Sequence, residues 1–264
     1  MKIAIIGAGN LGISIAKGIL HSGAATSMYL TRRHPDTLQE FEAYGNVVTT
    51  SDNRQAVSQS DILIFAVQPG DFPAVLTSVE DLLGENHVVI STITGFVISE
   101  IEAIIGTGRY IIRAMPNTAI SVQHSMTCLC SNEQGKERLE LAQAIFNRMG
   151  HSMIIPEARM QAATVICASG IAFWMRLIRA TTQGAIQLGF DAGKAQELAM
   201  HTCRGAAELL LQSGSHPEAE IDRVTTPMGC TIEGLNEMEH QGLSASLIRG
   251  IVTSFDKISD FRKG

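Results

Sequence analysis

The sequence KIAIIGAGNLG, residues 2–12, joins a short apolar run to three glycines in the pattern G-x-G-x-x-G. The run predicts a buried β-strand, and the apolar residues after the glycines predict an amphipathic helix. In this context Gly7 permits a tight turn, Gly9 lets the backbone approach a pyrophosphate, and Gly12 lets the helix pack on the strand. The first amides of the helix then face the anion, so the segment predicts a dinucleotide-binding site.

The second predicted strand indicates which dinucleotide binds. An NAD site places Asp or Glu roughly 20 residues after the glycines, where the carboxylate bonds the ribose 2′-hydroxyl. The corresponding stretch here is Thr31, Arg32 and Arg33, and the first acidic residue beyond it is Asp36. A guanidinium binds a 2′-phosphate through paired charge-assisted hydrogen bonds. The sequence therefore favours NADPH, and NADH is the alternative cofactor. The alternative explanation of the two arginines is that they are solvated loop residues that bind no cofactor.

Strand-like and helix-like segments alternate over residues 1–156. Strands are predicted at KIAII, SMYLT, DILIFAV, HVVISTI, RYIIRAM, SMTCLC and HSMII, and helices at Asn10–His21, Pro35–Ala43, Asp71–Leu83 and Glu133–Met149. The early strands carry consecutive apolar residues, which is typical of parallel strands covered on both faces. This order predicts an α/β, Rossmann-like, doubly wound domain over residues 1–156 that binds NADP.

Residues 157–264 predict a second domain that is all-α. A helix is expected at Arg159–Leu188, ended by Gly189, and another from an N-cap at Asp191 to Gly214. A helix of some 30 residues is about 45 Å long. A domain of this size cannot cover that length alone, so we expect a partner subunit to bury part of it.

The composition excludes several classes of function. The net charge of −6 argues against a nucleic-acid partner, and 45% hydrophobic residues indicate a well-filled core. The uncharged run 160–175 is shorter than the roughly 20 residues that span a bilayer, and no targeting segment is visible, so a cytoplasmic protein without a membrane partner is expected. The five cysteines have no metal-like spacing, so no metal site is predicted.

Three turns in the sequence are candidates for binding small ligands. AVQPG at 66–70 and RAMPN at 113–117 follow predicted strands, at the edge where doubly wound folds bind ligands. The turn TTPMGCT at 225–231 interrupts the helical half, directly before a renewed helical pattern. A glycine turn at a helix N-terminus exposes amides and the positive end of the helix dipole, which suits a small carboxylate. A capped helix without a ligand is the alternative.

The chain resembles the pyrroline-5-carboxylate reductase family over nearly its full length. The resemblance is carried by GAGNLG, by AVQP where the family usually has AVKP, by RAMPNT, and by DRVTTPMGCTIEGL at 222–235. It implies an oxidoreductase of proline biosynthesis in which NADPH delivers hydride to the imine carbon of 1-pyrroline-5-carboxylate, giving L-proline. It also implies a homodimer with interlocked C-terminal helices, which can assemble further.

The resemblance assigns roles to individual residues. The amides of Gly229, Cys230 and Thr231 would hold the substrate carboxylate, and the Thr231 hydroxyl would meet the ring nitrogen as the catalytic group. Asn53 matches a position near the adenosine ribose. Together, the motifs and the resemblance predict these cofactor-binding residues: Gly7, Gly9, Asn10, Leu11, Gly12, Thr31, Arg32, Arg33, Asn53, Ala66, Val67, Gln68, Pro69, Met115, Pro116 and Asn117.

Several positions depart from the family pattern. Met228 and Cys230 stand where Gly and Thr are usual, and the segment CASGIAFWM at 167–175 lacks the usual Pro and Tyr. Two alternatives to proline formation therefore remain open at this point. One is reduction of another small cyclic imine carboxylate, and the other is a divergent homologue with weak activity that binds nucleotide in a regulatory role.

Overall fold

A computed structural model describes the backbone of residues 1–261 and the side chains of residues 1–258. The chain forms two compact units. One comprises Met1–Ser169 together with the described residues from Phe255 onward, and the other comprises Gly170–Ser254.

The first unit is built on one eight-stranded sheet. Its strands are β1 (Lys2–Ile6), β2 (Ser27–Thr31), β3 (Val47–Thr50), β4 (Ile62–Phe65), β5 (Val88–Ser91), β6 (Tyr110–Met115), β7 (Ser125–Ser131) and β8 (Gly150–Ile154). The order is β3-β2-β1-β4-β5-β6-β7-β8, with β1 to β6 parallel. Strand β7 is antiparallel to β6, and β8 is parallel to β7. The predicted doubly wound α/β fold is confirmed.

Both faces of the sheet are buried, as the consecutive apolar residues predicted. Ile3 and Ile5 of β1 pack into one apolar core, while Ala4 and Ile6 pack into the other, and all four are fully buried. Burying one isoleucine side chain contributes about 1.5–3 kcal/mol. Because side chains are buried on both faces of the sheet, the register of the central strands is fixed. The carboxyl ends of the parallel strands β1, β2 and β4 therefore lie together at one edge of the sheet.

The helices of this unit differ in part from the predicted ones. Its α-helices are α1 (Asn10–Ser22), α2 (Asn53–Ser58), α3 (Phe72–Thr77), α4 (Ile98–Ile105), α5 (Lys136–Asn147) and α6 (Met160–Ala163). The helix predicted at Pro35–Ala43 is a 3₁₀-helix at Pro35–Phe41, kinked at Leu38. The one predicted at Asp71–Leu83 is shorter because Pro69 and Pro73 start separate turns.

The second unit is all-helical, as predicted. It holds α7 (Gly170–Gln187), α8 (Ala192–Ser213), α9 (Pro217–Val224), α10 (Cys230–His240) and the first part of α11 (Leu243–Phe261). Gly189 and Gly214 adopt positive φ of 101° and 63°, where each ends a helix, and Asp191 caps α8 by accepting from the Lys194 amide at 3.0 Å. The predicted stop and start signals are confirmed at these three positions.

The boundary between the units lies later than predicted. The compact units divide at 169/170, after the predicted domain boundary at 156/157, because Met160 and Ala163 of α6 pack into the sheet's own apolar core; the predicted domain bounds stay a prediction. Residues 262–264 of the predicted second domain lie outside the described residues.

The helical stretch Glu157–Gln187 is long and apolar enough to cross a membrane by length and composition, which the sequence pattern alone did not predict. Only 22% of its most apolar window is buried within the chain, and a single helix of this kind is weak support for a membrane span. The second unit also exposes large apolar side chains: Trp174, Met175, Ile186, Leu188, Phe190, Leu198, Met200, Leu209, Leu211, Met238 and Ile248. Where exposed apolar side chains form a contiguous patch, the patch marks an interaction site.

Candidate active site

The glycine turn between β1 and α1 is fixed by contacts with the neighbouring strand β2. The amide of Gly7 donates to Thr31 Oγ1 at 3.2 Å, and the amide of Ala8 donates to the Thr31 carbonyl at 2.7 Å. Gly7 has φ of +99°, and a Cβ there would lie 2.6 Å from Val67 Cγ1. A Cβ on Gly12 would overlap the Gly7 carbonyl oxygen. Both glycines therefore serve the roles predicted from the motif.

The N-terminus of α1 is open to an anion. Its N-cap residue is Gly9, which supplies no side chain to the first amides of the helix. A Cβ on Gly9 would meet nothing within 4 Å, so the space beside it is empty. The unpaired amides at the start of the helix and its positive dipole end therefore face free space, which is the arrangement that binds a pyrophosphate.

A cavity of about 680 Å³ adjoins this turn. Nine predicted cofactor residues line it: Gly7, Gly9, Thr31, Arg32, Arg33, Asn53, Ala66, Val67 and Gln68. It is also lined by residues that were not predicted, namely Ala8, His34, Ser51, Gly70, Asp71, Ala74 and Val75. Ser51 follows β3, an edge strand whose short VVTT sequence was overlooked, and recognition of that strand would have placed Ser51 at the same sheet edge.

Two arginines give the cavity a basic side. Arg33 Nη2 lies 3.3 Å from Asp71 Oδ2, an exposed pair that contributes little to stability. Arg32 donates its amide to the Thr50 carbonyl at 3.1 Å, and within the described residues its guanidinium has no hydrogen-bond partner. Arg32 thus lines the cavity at the end of β2, and its contact with a 2′-phosphate stays a prediction.

The other predicted cofactor residues do not line this cavity: Asn10, Leu11, Gly12, Pro69, Met115, Pro116 and Asn117. Met115 is buried in the apolar core, with 3% of its surface exposed. The Asn117 side chain is occupied by the chain itself, because its oxygen accepts from the Ala119 amide and its nitrogen donates to the Cys167 carbonyl, both at 2.9 Å. Asn117 therefore shapes the turn after β6 by its own hydrogen bonds.

The TTPMGCT turn lies in the helical unit, directly before α10. The Gly229 amide donates to the Thr226 carbonyl at 2.9 Å, which closes a β-turn with Pro227 and Met228 at its centre. Gly229 is the N-cap of α10, and among the described residues no side chain caps the first amides of this helix. The prediction that the Gly229 amide holds a carboxylate is therefore corrected, since that amide is already used. For the amides of Cys230 and Thr231, the carboxylate-binding role stays a prediction.

Thr231 lies in the first turn of α10 and is exposed. Its hydroxyl has no hydrogen-bond partner within the described residues, so the alternative in which it only caps its own backbone is not observed. An unpaired hydroxyl beside two unpaired amides can bind a carboxylate and a neighbouring polar atom at the same time.

Met228 occupies a strained position in this turn. Its φ is +59°, and 98% of its surface is exposed. The third residue of a turn with Pro in second place favours glycine when φ is positive. A side chain in the left-handed region costs about 1 kcal/mol or more. We expect Met228→Gly to raise the free energy of unfolding by about 0.5–1 kcal/mol, measured by urea denaturation.

Met228→Ala is the matched control for this prediction. It removes the same long side chain but keeps a Cβ at positive φ, so we expect it to leave stability close to that of the parent. Both variants are compared at one protein concentration, because association shifts apparent stability. Equal stability of the Gly and Ala variants would show that the turn is not strained.

Two family models match the chain. The model described as pyrroline-5-carboxylate reductase dimerisation matches residues 157–260, which include the TTPMGCT turn. The model described as NADP oxidoreductase, coenzyme F420-dependent, matches residues 2–95, which include the glycine turn and every lining residue of the cavity.

Curated relatives decide the family. Pyrroline-5-carboxylate reductase 2 of Dictyostelium discoideum is 42% identical over 275 residues, which cover 98% of this chain and 92% of the relative. The chain belongs to the pyrroline-5-carboxylate reductase family. Pyrroline-5-carboxylate reductase 1 of the same organism is 44% identical over 97% of this chain, which spans about half of that relative (49%).

The fold agrees with a solved structure that carries the family name. The crystal structure of Plasmodium falciparum pyrroline carboxylate reductase with NADP bound superposes with a TM-score of 0.89, covering 99% of this chain and 98% of that one. At 22% identity this likeness shows the fold alone. Membership of the pyrroline-5-carboxylate reductase family, given only as a resemblance by the sequence motifs, is thus confirmed by the 42% identical relative.

Proposed function

We propose that this protein reduces 1-pyrroline-5-carboxylate to L-proline, the last step of proline biosynthesis, with NADPH as the reductant. The observation that carries the proposal is the 42% identity to a pyrroline-5-carboxylate reductase over nearly the whole of both chains. The cavity beside the glycine turn and the unpaired amides of α10 supply sites for the two ligands that this reaction needs.

The reaction requires the protein mainly to position the substrate and the nucleotide. The protonated imine is an electrophile, and NADPH supplies a hydride to its carbon, which leaves a secondary amine. In this proposal the amides of Cys230 and Thr231 hold the substrate carboxylate and so fix the ring. The Thr231 hydroxyl hydrogen-bonds the ring nitrogen and can pass a proton to or from it. Correct placement alone can supply a large part of the rate enhancement.

A panel of cyclic imine carboxylates tests which substrate the turn accepts. Met228 and Cys230 change the usual sequence of the anion turn, so a related ring size is the second candidate. Five-membered 1-pyrroline-5-carboxylate is expected to give the highest kcat/KM with NADPH. Faster reduction of a six-membered imine carboxylate would contradict the proposed substrate, while the assignment of the protein as a reductase would stand. NADPH binding without turnover on any ring would favour a regulatory nucleotide-binding role.

NADPH is proposed over NADH because the Arg32 guanidinium lines the cavity at the end of β2 without a hydrogen-bond partner among the described residues, and the residues that directly follow β2, Arg32 to Pro35, include no acid. The NADP-bound structure from Plasmodium and the oxidoreductase model over residues 2–95 support a nicotinamide cofactor. We expect Arg32→Ala to weaken NADPH binding by about 10–100-fold, the equivalent of one to two charge-assisted hydrogen bonds, and to leave NADH nearly unchanged. Titration of each nucleotide by fluorescence measures this difference.

Arg148→Ala is the control for the loss of a positive charge, because Arg148 is exposed and does not line the cavity. It should change neither affinity. Equal weakening of NADPH and NADH by Arg32→Ala would contradict the assignment of the 2′-phosphate to this guanidinium.

We further propose a cytoplasmic homodimer in which the second unit forms the interface. The family model over residues 157–260 is named for dimerisation, and a partner subunit would bury the apolar side chains that this unit exposes. Interlocked helices and further assembly of dimers are part of this proposal. Burial of exposed side chains such as Trp174 and Met175 against a partner would also account for the apolar character of the stretch 157–187 without a membrane.

A further inference from the structure

Two cysteines far apart in the sequence meet beside the turn after β6. Cys128 Sγ lies 3.8 Å from Cys167 Sγ. Cys128 stands on β7 opposite Met115 of β6, and only 4% of its surface is exposed. Cys167 is partly exposed and belongs to Thr164–Ser169, a π-helical segment. Such wide turns occur frequently at functional sites and rarely elsewhere.

We infer that Cys128 and Cys167 form a peroxide-sensitive thiol pair that closes to a disulfide. The sulfur atoms need to approach by about 1.8 Å to reach bonding distance. A π-helical turn is a place where the backbone can adjust by this amount, because its hydrogen-bond pattern is already irregular. The other three cysteines, Cys130, Cys203 and Cys230, have no thiol partner among the described residues.

The two thiols differ in the way that such a pair requires. Cys167 is the more accessible, and the hydrogen bond from the Cys128 thiol lowers the pKa of Cys167 to about 7. The same hydrogen bond and burial raise the pKa of Cys128. The thiolate form is the nucleophile toward peroxide, so Cys167 is the attacking residue and Cys128 the resolving one.

The reaction balances with hydrogen peroxide as the oxidant. The Cys167 thiolate attacks the O–O bond, forms a sulfenic acid and releases hydroxide. The Cys128 sulfur then attacks the sulfenic sulfur, the S–S bond forms, and the displaced hydroxyl leaves as water with the proton of Cys128. Two thiols lose two electrons and two protons in total, and the peroxide is reduced to two waters.

The pair is connected to the turn after β6. Asn117 Nδ2 donates to the Cys167 carbonyl at 2.9 Å, and the Asn117 amide donates to Ser125 Oγ at 3.1 Å. Closing the disulfide would pull the carbonyl of Cys167 away from Asn117 and shift the Met115-Pro116-Asn117 turn. If the protein is a reductase as proposed, oxidation lowers its activity and dithiothreitol restores it. Only this consequence of the disulfide rests on the proposed function.

Peptide mapping of the intact chain tests the pair without reference to activity. The reduced protein is treated with hydrogen peroxide, free thiols are blocked, and tryptic peptides are analysed by mass spectrometry. We expect peptide 114–136, which contains Cys128, to be linked to peptide 160–176, which contains Cys167. The link should disappear on treatment with dithiothreitol. Absence of the link, or oxidation confined to Cys203 and Cys230, would overturn the inference.

Cys130→Ser is the matched control, because Cys130 lies two residues along the same strand, is equally buried and falls in the same peptide. It should leave the link intact, whereas Cys128→Ser and Cys167→Ser should each abolish it, because each variant lacks one of the two sulfur atoms that the bond joins. Circular dichroism checks that each variant is folded. A link that persists in Cys128→Ser would assign the bond to Cys130 and contradict the pair. A link that forms in the parent without any change in reductase activity would overturn the connection to the turn and leave the proposed function standing.

Discussion

Replacing Thr231 by valine should lower kcat for 1-pyrroline-5-carboxylate by about 100-fold, with NADPH affinity unchanged. Valine has the shape of threonine but lacks the hydroxyl that would hydrogen-bond the ring nitrogen. Loss of a group that transfers or steadies a proton in the transition state typically costs a factor of 10²–10⁴. The hydroxyl has no partner among the described residues, so its removal leaves no broken hydrogen bond within the chain. Steady-state kinetics and nucleotide titration measure the two quantities separately.

Two further variants make the result specific to the hydroxyl. Thr231→Ser keeps the hydroxyl and should retain most of the activity. Thr202→Val, at an exposed position of α8, controls for the same substitution elsewhere on a helix. Parent-like turnover in Thr231→Val would remove this residue from the mechanism while leaving the carboxylate site in place.

Gly9→Ala should abolish tight nucleotide binding in a protein that folds normally. Gly9 has φ of −82°, which alanine adopts without strain, and a Cβ there meets nothing within 4 Å. The added methyl group would occupy the space into which the pyrophosphate must come against the amides of α1. Displacing a phosphate from its hydrogen bonds should weaken NADPH by about 100-fold or more, equivalent to about 3 kcal/mol. Fluorescence titration measures the affinity, and thermal denaturation measures the stability.

Gly45→Ala is the matched control, since Gly45 also has open space around its Cα and does not line the cavity. Both variants should denature within a few degrees of the parent. If Gly9→Ala binds NADPH as tightly as Gly45→Ala does, the pyrophosphate lies elsewhere.

The sequence predicted most of the first unit because strong local signals agreed with the packing. The glycine motif, the apolar strands and the glycine helix stops each identify one structure. The edge strand β3 was missed because its VVTT segment is short and only partly buried. Helices α2 and α4 were missed because they are short, at 6 and 8 residues; α2 depends on its cap Asp52, and in α4 the spacing of the buried Ile98, Ile101 and Ile105 covers only two turns.

The candidate site was predictable only where a residue's role follows from its own neighbours in sequence. Arg32 lies at the end of a strand, so its place at the cavity follows from the order of the elements. One other feature depends on a distant contact. The approach of Cys167 to Cys128 brings together residues 39 positions apart, and no spacing rule in the sequence indicates it. The engagement of the Gly229 amide with Thr226 is local, and Pro227 in the second place of the turn is the sequence signal that indicates it.

The most direct test of the proposed function follows NADPH oxidation by the purified protein with 1-pyrroline-5-carboxylate, with the product identified by chiral chromatography. We expect saturable NADPH consumption that yields one L-proline for each NADPH oxidised, and a much lower rate in Thr231→Val. No NADPH consumption above the rate without enzyme, in a preparation that binds NADPH tightly, would contradict the proposed function.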